Sequence, residues 1–190
     1  MTDKQQVTAL VLAGGAGRRV QGRDKGLIQW HGKPLVEHLL QRIKPQVDSL
    51  LISCNRNIDQ YQGYGFSLVV DRRPDYQGPL AGIEAAITHI HSDFMLITAC
   101  DMPLLPEDLV ERLLHPLVQS SNPSLDVSIA HDGVREQYLC AMLRRSCLNS
   151  LSGYLASGQR AVRHWYALQQ TVNVDFSDKA EAFANYNQLE

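Results

Sequence analysis

Two aspartates, a lysine and a glycine-rich turn are the residues of this chain best suited to chemistry. Asp101 follows the apolar run 94–99 and Cys100, and precedes Met102-Pro103. A carboxylate delivered at a strand end is a hard oxygen donor, and magnesium takes one or two of these together with substrate phosphates. The alternative use of Asp101 is as the N-cap of a helix starting after Pro103 or Pro106. Asp71 has the same placement after residues 67–70, with a turn role beside Arg72 and Arg73 as its alternative. Leu12-Ala13-Gly14-Gly15-Ala16-Gly17 closes another apolar run. Glycines there allow backbone N–H groups to approach an anion and permit positive φ, which is expected at Gly15. Lys25 and Arg19 add a point charge and a forked donor, complementary around a polyphosphate. The chemistry these types suit is the handling of a polyphosphate with a divalent cation.

Familiar phosphate-binding signatures do not fit. The P-loop pattern G-x-x-x-x-G-K-[ST] fails because Lys25 lies between Asp24 and Gly26. The dinucleotide pattern G-x-G-x-x-G is met at Gly15 and Gly17 and broken at Val20. The histidines fall in no metal-ligand spacing. Cys54, Cys100, Cys140 and Cys147 form no C-x-x-C pair, so reduced, mostly buried thiols are expected. No Ser-His-Asp or Cys-His arrangement can be drawn.

The elements that must position these residues follow from periodicity. Residues 7–13 read as a strand apolar on both faces, as a central parallel strand should be. Pro34 opens a helix with Leu35, Leu39, Leu40 and Ile43 as its apolar stripe. Short strands are expected at 50–54 and 67–70, then a tight loop at 78–82 leading into a helix over 83–90. A strand at 94–99 precedes a helix that Pro103 and Pro106 bracket and that runs to about residue 119. Strands at 127–130, 138–142 and 171–174 are interleaved with helices at 147–156 and 161–168. This alternation predicts a three-layer α/β/α domain, a mostly parallel twisted sheet with helices on both faces. Ligands of such sheets bind at the carboxyl ends of the strands, where the glycine turn, Asn55, Asp71 and Asp101 all fall.

The chain has 190 residues, which suits one domain. Its 44% hydrophobic and 20% charged residues can bury a real core. A net charge of −2 without long basic runs argues against a nucleic-acid partner. The run 7–13 is too short for a membrane span and lacks the layout of a signal peptide, so a cytoplasmic protein, free of membranes and monomeric, is expected.

Longer motifs carry a resemblance. Leu12-Ala13-Gly14-Gly15-Ala16-Gly17-Arg18-Arg19, Asp24-Lys25-Gly26-Leu27, Gly32-Lys33-Pro34-Leu35 and Asn55-Arg56 come first. Asp71, Gly78-Pro79-Leu80-Ala81-Gly82, Cys100-Asp101-Met102-Pro103 and Val174-Asp175-Phe176-Ser177-Asp178 follow in order. Over nearly its whole length the chain resembles the molybdenum cofactor guanylyltransferases, the MobA family of nucleotidyltransferases. The resemblance implies transfer of GMP from GTP to molybdopterin, giving molybdopterin guanine dinucleotide and pyrophosphate with Mg2+ on Asp101. It implies GTP contacts at Leu12, Ala13, Gly14, Gly15, Lys25, Asn55, Asp71, Pro79, Leu80 and Asp101, with Arg19, Lys25 and Asp101 catalytic. Arg160, Arg163, Asn185 and Asn187 would hold molybdopterin, so that residues 1–105 form a nucleotide half and 106–190 an acceptor half. Transient contact with molybdoenzymes or other cofactor-biosynthesis proteins is also implied. Two departures stand out: Ser53 where one form of the family has Asn, leaving Ser53 or Asn55 for that contact, and Gln137-Tyr138-Leu139-Cys140 in place of a His-Pro-Thr-like segment. The competing readings are a related transferase of CMP or sugar-phosphate type, a non-catalytic nucleotide-binding module, and a nicotinamide-dependent dehydrogenase that lacks its third glycine.

Overall fold

The structure is a computed structural model and describes residues 5–15, 22–73, 77–120 and 122–186. In chain order the strands are β1 (Val7–Leu12), β2 (Gln29–Trp30), β3 (Lys33–Pro34), β4 (Ser49–Ser53), β5 (Ser67–Val69), β6 (Phe94–Ala99), β7 (Val127–His131), β8 (Glu136–Arg144) and β9 (Thr171–Asp175). β2 and β3 form a small ribbon; the other seven make one sheet in the order β5-β4-β1-β6-β8-β7-β9. β5, β4, β1 and β6 run parallel, and β9 is parallel to β7. β8 is antiparallel to both of its neighbours, β6 and β7. The expected α/β class and its mostly parallel sheet are therefore present, and the sheet runs unbroken through both halves of the chain.

Side chains alternate across a strand, so each central strand feeds two cores. Val7, Ala9 and Val11 of β1 and Phe94 and Leu96 of β6 enter one core. Leu10 of β1 and Met95 and Ile97 of β6 enter the other. The first core is covered by α1 (Leu35–Ile43), whose stripe is Val36, Leu39, Leu40 and Ile43. It is also covered by α4 (Leu109–Gln119) and by Tyr61 of the short α2 (Ile58–Gln62). The second core lies beneath α3 (Pro79–Ala86), α5 (Leu151–Ala156) and α6 (Val162–Tyr166), which supply Leu80, Ile83, Leu155, Trp165 and Tyr166. All four cysteines are free and buried, as their spacing predicts.

Two boundaries differ from expectation, and both matter to the site. The segment 78–82 is not a loop: Gly78 takes φ +87°, ψ −175°, and Pro79 enters α3 at its first turn. Glycine accepts that backbone and proline suits N1, where its missing N–H costs nothing. α4 begins only at Leu109 and has Asp108 as its N-cap residue, so Asp101 is not spent as a helix cap.

Candidate active site

The ladder bonds of the parallel strands continue past the strand ends. The N–H of Ala13 donates to the Ser53 carbonyl (2.8 Å), that of Cys54 to Val69 (3.0 Å), and that of Cys100 to Leu12 (3.1 Å). These bonds hold the glycine turn, the end of β4 and the Cys100-Asp101 corner level along one edge. A cleft of about 930 Å3 opens there, lined by Leu12, Ala13, Gly14, Gly15, Lys25, Ser53, Asp71, Pro79, Met102 and Asp101. Nearly every residue the sequence proposed for a nucleotide is thus brought together.

In its lining the Lys25 Nζ lies 3.1 Å from Asp101 Oδ2, with their side chains 25% and 10% exposed. A largely desolvated ion pair is screened less than a surface one, so both charges keep their reach toward a ligand in the cleft. Asn55 stands behind the wall. Its Nδ2 donates to Asp71 Oδ2 (2.8 Å) and the Gly14 carbonyl (3.3 Å), and its Oδ1 accepts from the Asp71 N–H (2.9 Å). A Cβ on Gly14 would sit 2.9 Å from Asn55 Nδ2, so this crosslink requires glycine. Gly15 differs: its φ is not in the positive region expected for it, and a Cβ there would meet nothing within 4 Å. Ser53 lines the cleft, and a Cβ on Gly82 would lie 2.6 Å from its Oγ. Ser53 is thus packed against α3 at the cleft edge with 2% exposure, while Asn55 braces Gly14 and Asp71 from behind.

Burial raises the Asp71 carboxyl above the ordinary aspartate range, against the lowering effect of the Asn55 bond. Its Oδ1 is buried and has no hydrogen-bond partner among the described residues. Burial also pushes the Cys54 thiol up to about 11 and the Cys100 thiol higher still, which removes both as nucleophiles at neutral pH.

The far wall is Arg135, Glu136, Gln137, Tyr138 and Leu139. Sequence reading missed these as site residues, although Gln137-Tyr138 stood out as a departure from the family pattern. Because β8 runs antiparallel, its amino end reaches the edge where its neighbours bring their carboxyl ends. The pairing with β7 shifts between Ile129–Ala141 and Ala130–Gln137, so residues 138–140 bulge there. Asp132 fixes the preceding turn by accepting from the Val134 and Arg135 N–H groups (2.8 Å each) and from Gln137 Nε2 (2.6 Å). Asn185 also lines the cleft, on a tail whose Tyr186 N–H donates to the Asp101 carbonyl (3.0 Å). The Tyr186 ring packs on Trp30, centroids 4.9 Å apart.

Other expected contacts lie elsewhere. The Leu80 side chain is fully buried in the second core and does not line the cleft. Arg160 is absent from the cleft lining; its Nε donates to Gln77 Oε1 (2.7 Å) and its Nη1 to the Leu155 carbonyl (2.8 Å). Arg163 is exposed, bonded to the adjacent His164 ring (3.2 Å). Arg19 and Asn187 lie outside the described residues.

No group of three or more His, Cys, Asp or Glu side chains among the described residues could hold a metal on its own. Magnesium does not need such a cage, since it accepts one or two carboxylates and completes its shell with phosphate oxygens and water. Asp101 supplies one such carboxylate in the cleft, whereas Asp71 stands past β5, three strands from β6 and so about 14 Å across the sheet, too far to share its ion.

A glycine turn, a lysine–aspartate pair and a braced second carboxylate at the carboxyl edge of parallel strands define an α/β domain of the nucleotidyltransferase class. Comparison with known proteins narrows it. The model of the MobA-like NTP transferase domain matches residues 9–174. A molybdenum cofactor guanylyltransferase of Shewanella sp. (strain MR-4) is 41% identical over 182 residues, 96% of this chain and 91% of the relative. The same-named protein of Shewanella putrefaciens is 39% identical over 184 residues, covering 97% and 93% of the two chains. Among solved structures, molybdopterin-guanine dinucleotide biosynthesis protein A from Archaeoglobus fulgidus aligns with a TM-score of 0.76 at 23% identity, over 95% of this chain and 92% of that one. The 4-diphosphocytidyl-2C-methyl-D-erythritol synthase of Anaerococcus prevotii shares the fold at TM-score 0.70 and 10% identity, over 97% and 91%. The chain belongs to the MobA-like NTP transferase family.

Proposed function

We propose that this protein is a molybdenum cofactor guanylyltransferase, transferring GMP from GTP to molybdopterin with release of pyrophosphate. The observation that carries the reading is the convergence of the glycine turn, the Lys25–Asp101 pair and the Asn55-braced Asp71 on one cleft. Identity of 41% to a guanylyltransferase over 96% of the chain supports the choice of substrates. GTP lies across the ends of β1, β4 and β6, against Leu12, Ala13, Gly14 and Gly15, with Pro79 at the start of α3 flanking it. The acceptor enters along Asn185 and residues 135–139. A phosphate oxygen of the acceptor forms a bond to the α-phosphorus of GTP as the bond to the β-phosphate bridging oxygen breaks, and pyrophosphate leaves with the bonding electrons. Such transfers are accelerated chiefly by positioning and charge neutralisation. Lys25 offsets charge on the triphosphate, and the turn backbone donates N–H groups. Mg2+ would be held through Asp101 and would supply further neutralisation of the triphosphate charge. The protein acts in the cytoplasm as a monomer; separately, no helix among the described residues is long and apolar enough to cross a membrane.

The test is to incubate the purified protein with molybdopterin, Mg2+ and each labelled nucleoside triphosphate in turn. Guanine dinucleotide and pyrophosphate should form from GTP and cease on chelation of the metal. Equal or better turnover of CTP would move the chain to the cytidylyl relatives, and tight GTP binding without product would make it a binding module.

A further inference from the structure

We infer that Asp24 is a positioning residue for Lys25, gathering Tyr61, Asn57 and Arg56 into a clamp that sets where the lysine ammonium stands. The inference rests on the reading that Lys25 contacts the triphosphate. The Asp24 side chain is only 4% exposed. It accepts from the Tyr61 hydroxyl (2.7 Å), from Asn57 Nδ2 (3.0 Å) and from the Gly26 N–H (3.2 Å). The Arg56 guanidinium lies 3.7 Å away and donates to the carbonyls of Gly22 (2.5 Å) and Arg23 (2.6 Å), so it ties down the two residues that lead into Asp24 and Lys25. Asn57 reaches Asp24 from a left-handed backbone, φ +51°, which asparagine tolerates better than most residues. A Cβ on Gly26 would lie 2.5 Å from the Tyr61 oxygen and 3.3 Å from Cys100 Sγ, so the residue after Lys25 is pressed against the residue before Asp101. Asp24-Lys25-Gly26 thus divides its work: the aspartate anchors, the lysine projects, and the glycine admits the tyrosine that completes the anchor. A buried carboxylate with three donors and a neighbouring guanidinium fixes its backbone far more firmly than a solvated loop would.

A purely structural clamp would lower stability without being coupled to the lysine, and a double-mutant cycle separates the two. Tyr61→Phe keeps the ring and removes one donor; Asp24→Asn keeps the shape and removes the charge. Each is made alone and with Lys25→Ala, and kcat/KM for GTP and Tm are measured. Lys25→Ala alone should lower kcat/KM by about 10- to 100-fold. Tyr61→Phe should lower it about 5- to 10-fold in the native background. In the Lys25→Ala background it should change kcat/KM by less than about twofold, while Tm falls equally in both. An undiminished loss in the Lys25→Ala background, or none in the native one, overturns the inference. A silent Lys25→Ala instead overturns the reading beneath it. Tyr61→Phe decides the matter should Asp24→Asn fail to fold.

Discussion

The two walls of the cleft are built by opposite means. On the nucleotide wall, four parallel strands end together, and the residues at and just past those ends are bonded to one another, Ala13 to Ser53 and Asn55 to Gly14 and Asp71, while Lys25 reaches Asp101 from a short helical turn. On the far wall, one antiparallel strand arrives by its amino end, widened by a bulge and held through the side chain of Asp132. The first wall is dictated by the sheet itself, since parallel strands deliver every carboxyl end to one edge. The second depends on a local irregularity that can change without altering the sheet, and bulges commonly re-aim side chains beside active sites. A family built this way can keep its nucleotide chemistry fixed while changing what accepts the nucleotide.

The largest expected effect lies on the nucleotide wall. Asp101→Asn keeps the shape and the strand-end position but loses the charge, and should lower turnover by roughly 100- to 1000-fold with little change in Tm. Steady-state kinetics across a magnesium titration checks it: partial recovery at high Mg2+ sharpens the assignment, and normal turnover would break it.

The glycine turn provides a contrast within that wall. Gly14→Ala forces a Cβ to 2.9 Å from Asn55 Nδ2 and must displace the brace, so stability and GTP affinity should both fall, by about 1–3 kcal/mol each. Gly15→Val places its side chain in open space, leaving Tm nearly unchanged while reducing GTP affinity about tenfold or more by obstructing the ligand's approach to the backbone. Calorimetric GTP titration beside thermal melts distinguishes the two, and normal GTP binding by Gly15→Val would make the turn merely structural.

Asp71→Asn should act in opposite directions on stability and binding. Burial raises this carboxyl in the folded state, so the native fold prefers it protonated. That preference helps stability below the ordinary aspartate range and is lost as pH rises through the raised value. The Asn variant should therefore melt with the native protein at low pH and above it at neutral pH, while binding GTP more weakly. Equal melting at both pH values would mean that Asn55 fully compensates the burial.

How far the sequence discloses this site follows from the same contrast. Gly14, Lys25, Asp71 and Asp101 are legible because each adjoins an apolar run or sits in a short charged motif, and parallel topology does the rest. The true start of α3 is hidden because Gly78-Pro79 signals a turn and a helix start equally well. Arg135 and Tyr138 are hidden because strand direction is not written in a period-two pattern, so which end of β8 meets the cleft cannot be read from residues 136–144. Leu80 misleads for a related reason: its neighbour Pro79 lines the cleft, but helical geometry turns the next side chain into the core.

The smallest effects concern the two C-terminal arginines, and they test whether the far wall extends to α6. From sequence alone both would bind the acceptor and leave GTP untouched. Yet Arg160 donates to Gln77, which immediately precedes Gly78 and the start of α3, whereas among the described residues exposed Arg163 donates to its neighbour His164. Arg160→Ala should therefore loosen the entry to α3 and weaken GTP binding and turnover alike, by about two- to fivefold, the range of one hydrogen bond between side chains. Arg163→Ala should stay within about twofold on both, as an exposed side chain with a local partner contributes little. The measurements are GTP titration without acceptor and turnover against molybdopterin concentration. If Arg160→Ala bound GTP normally but lost tenfold in turnover only at low molybdopterin, the arginine would leave Gln77 for the acceptor. The far wall would then continue beyond β8, and the division between a sheet-dictated wall and a bulge-dictated one would have to be redrawn.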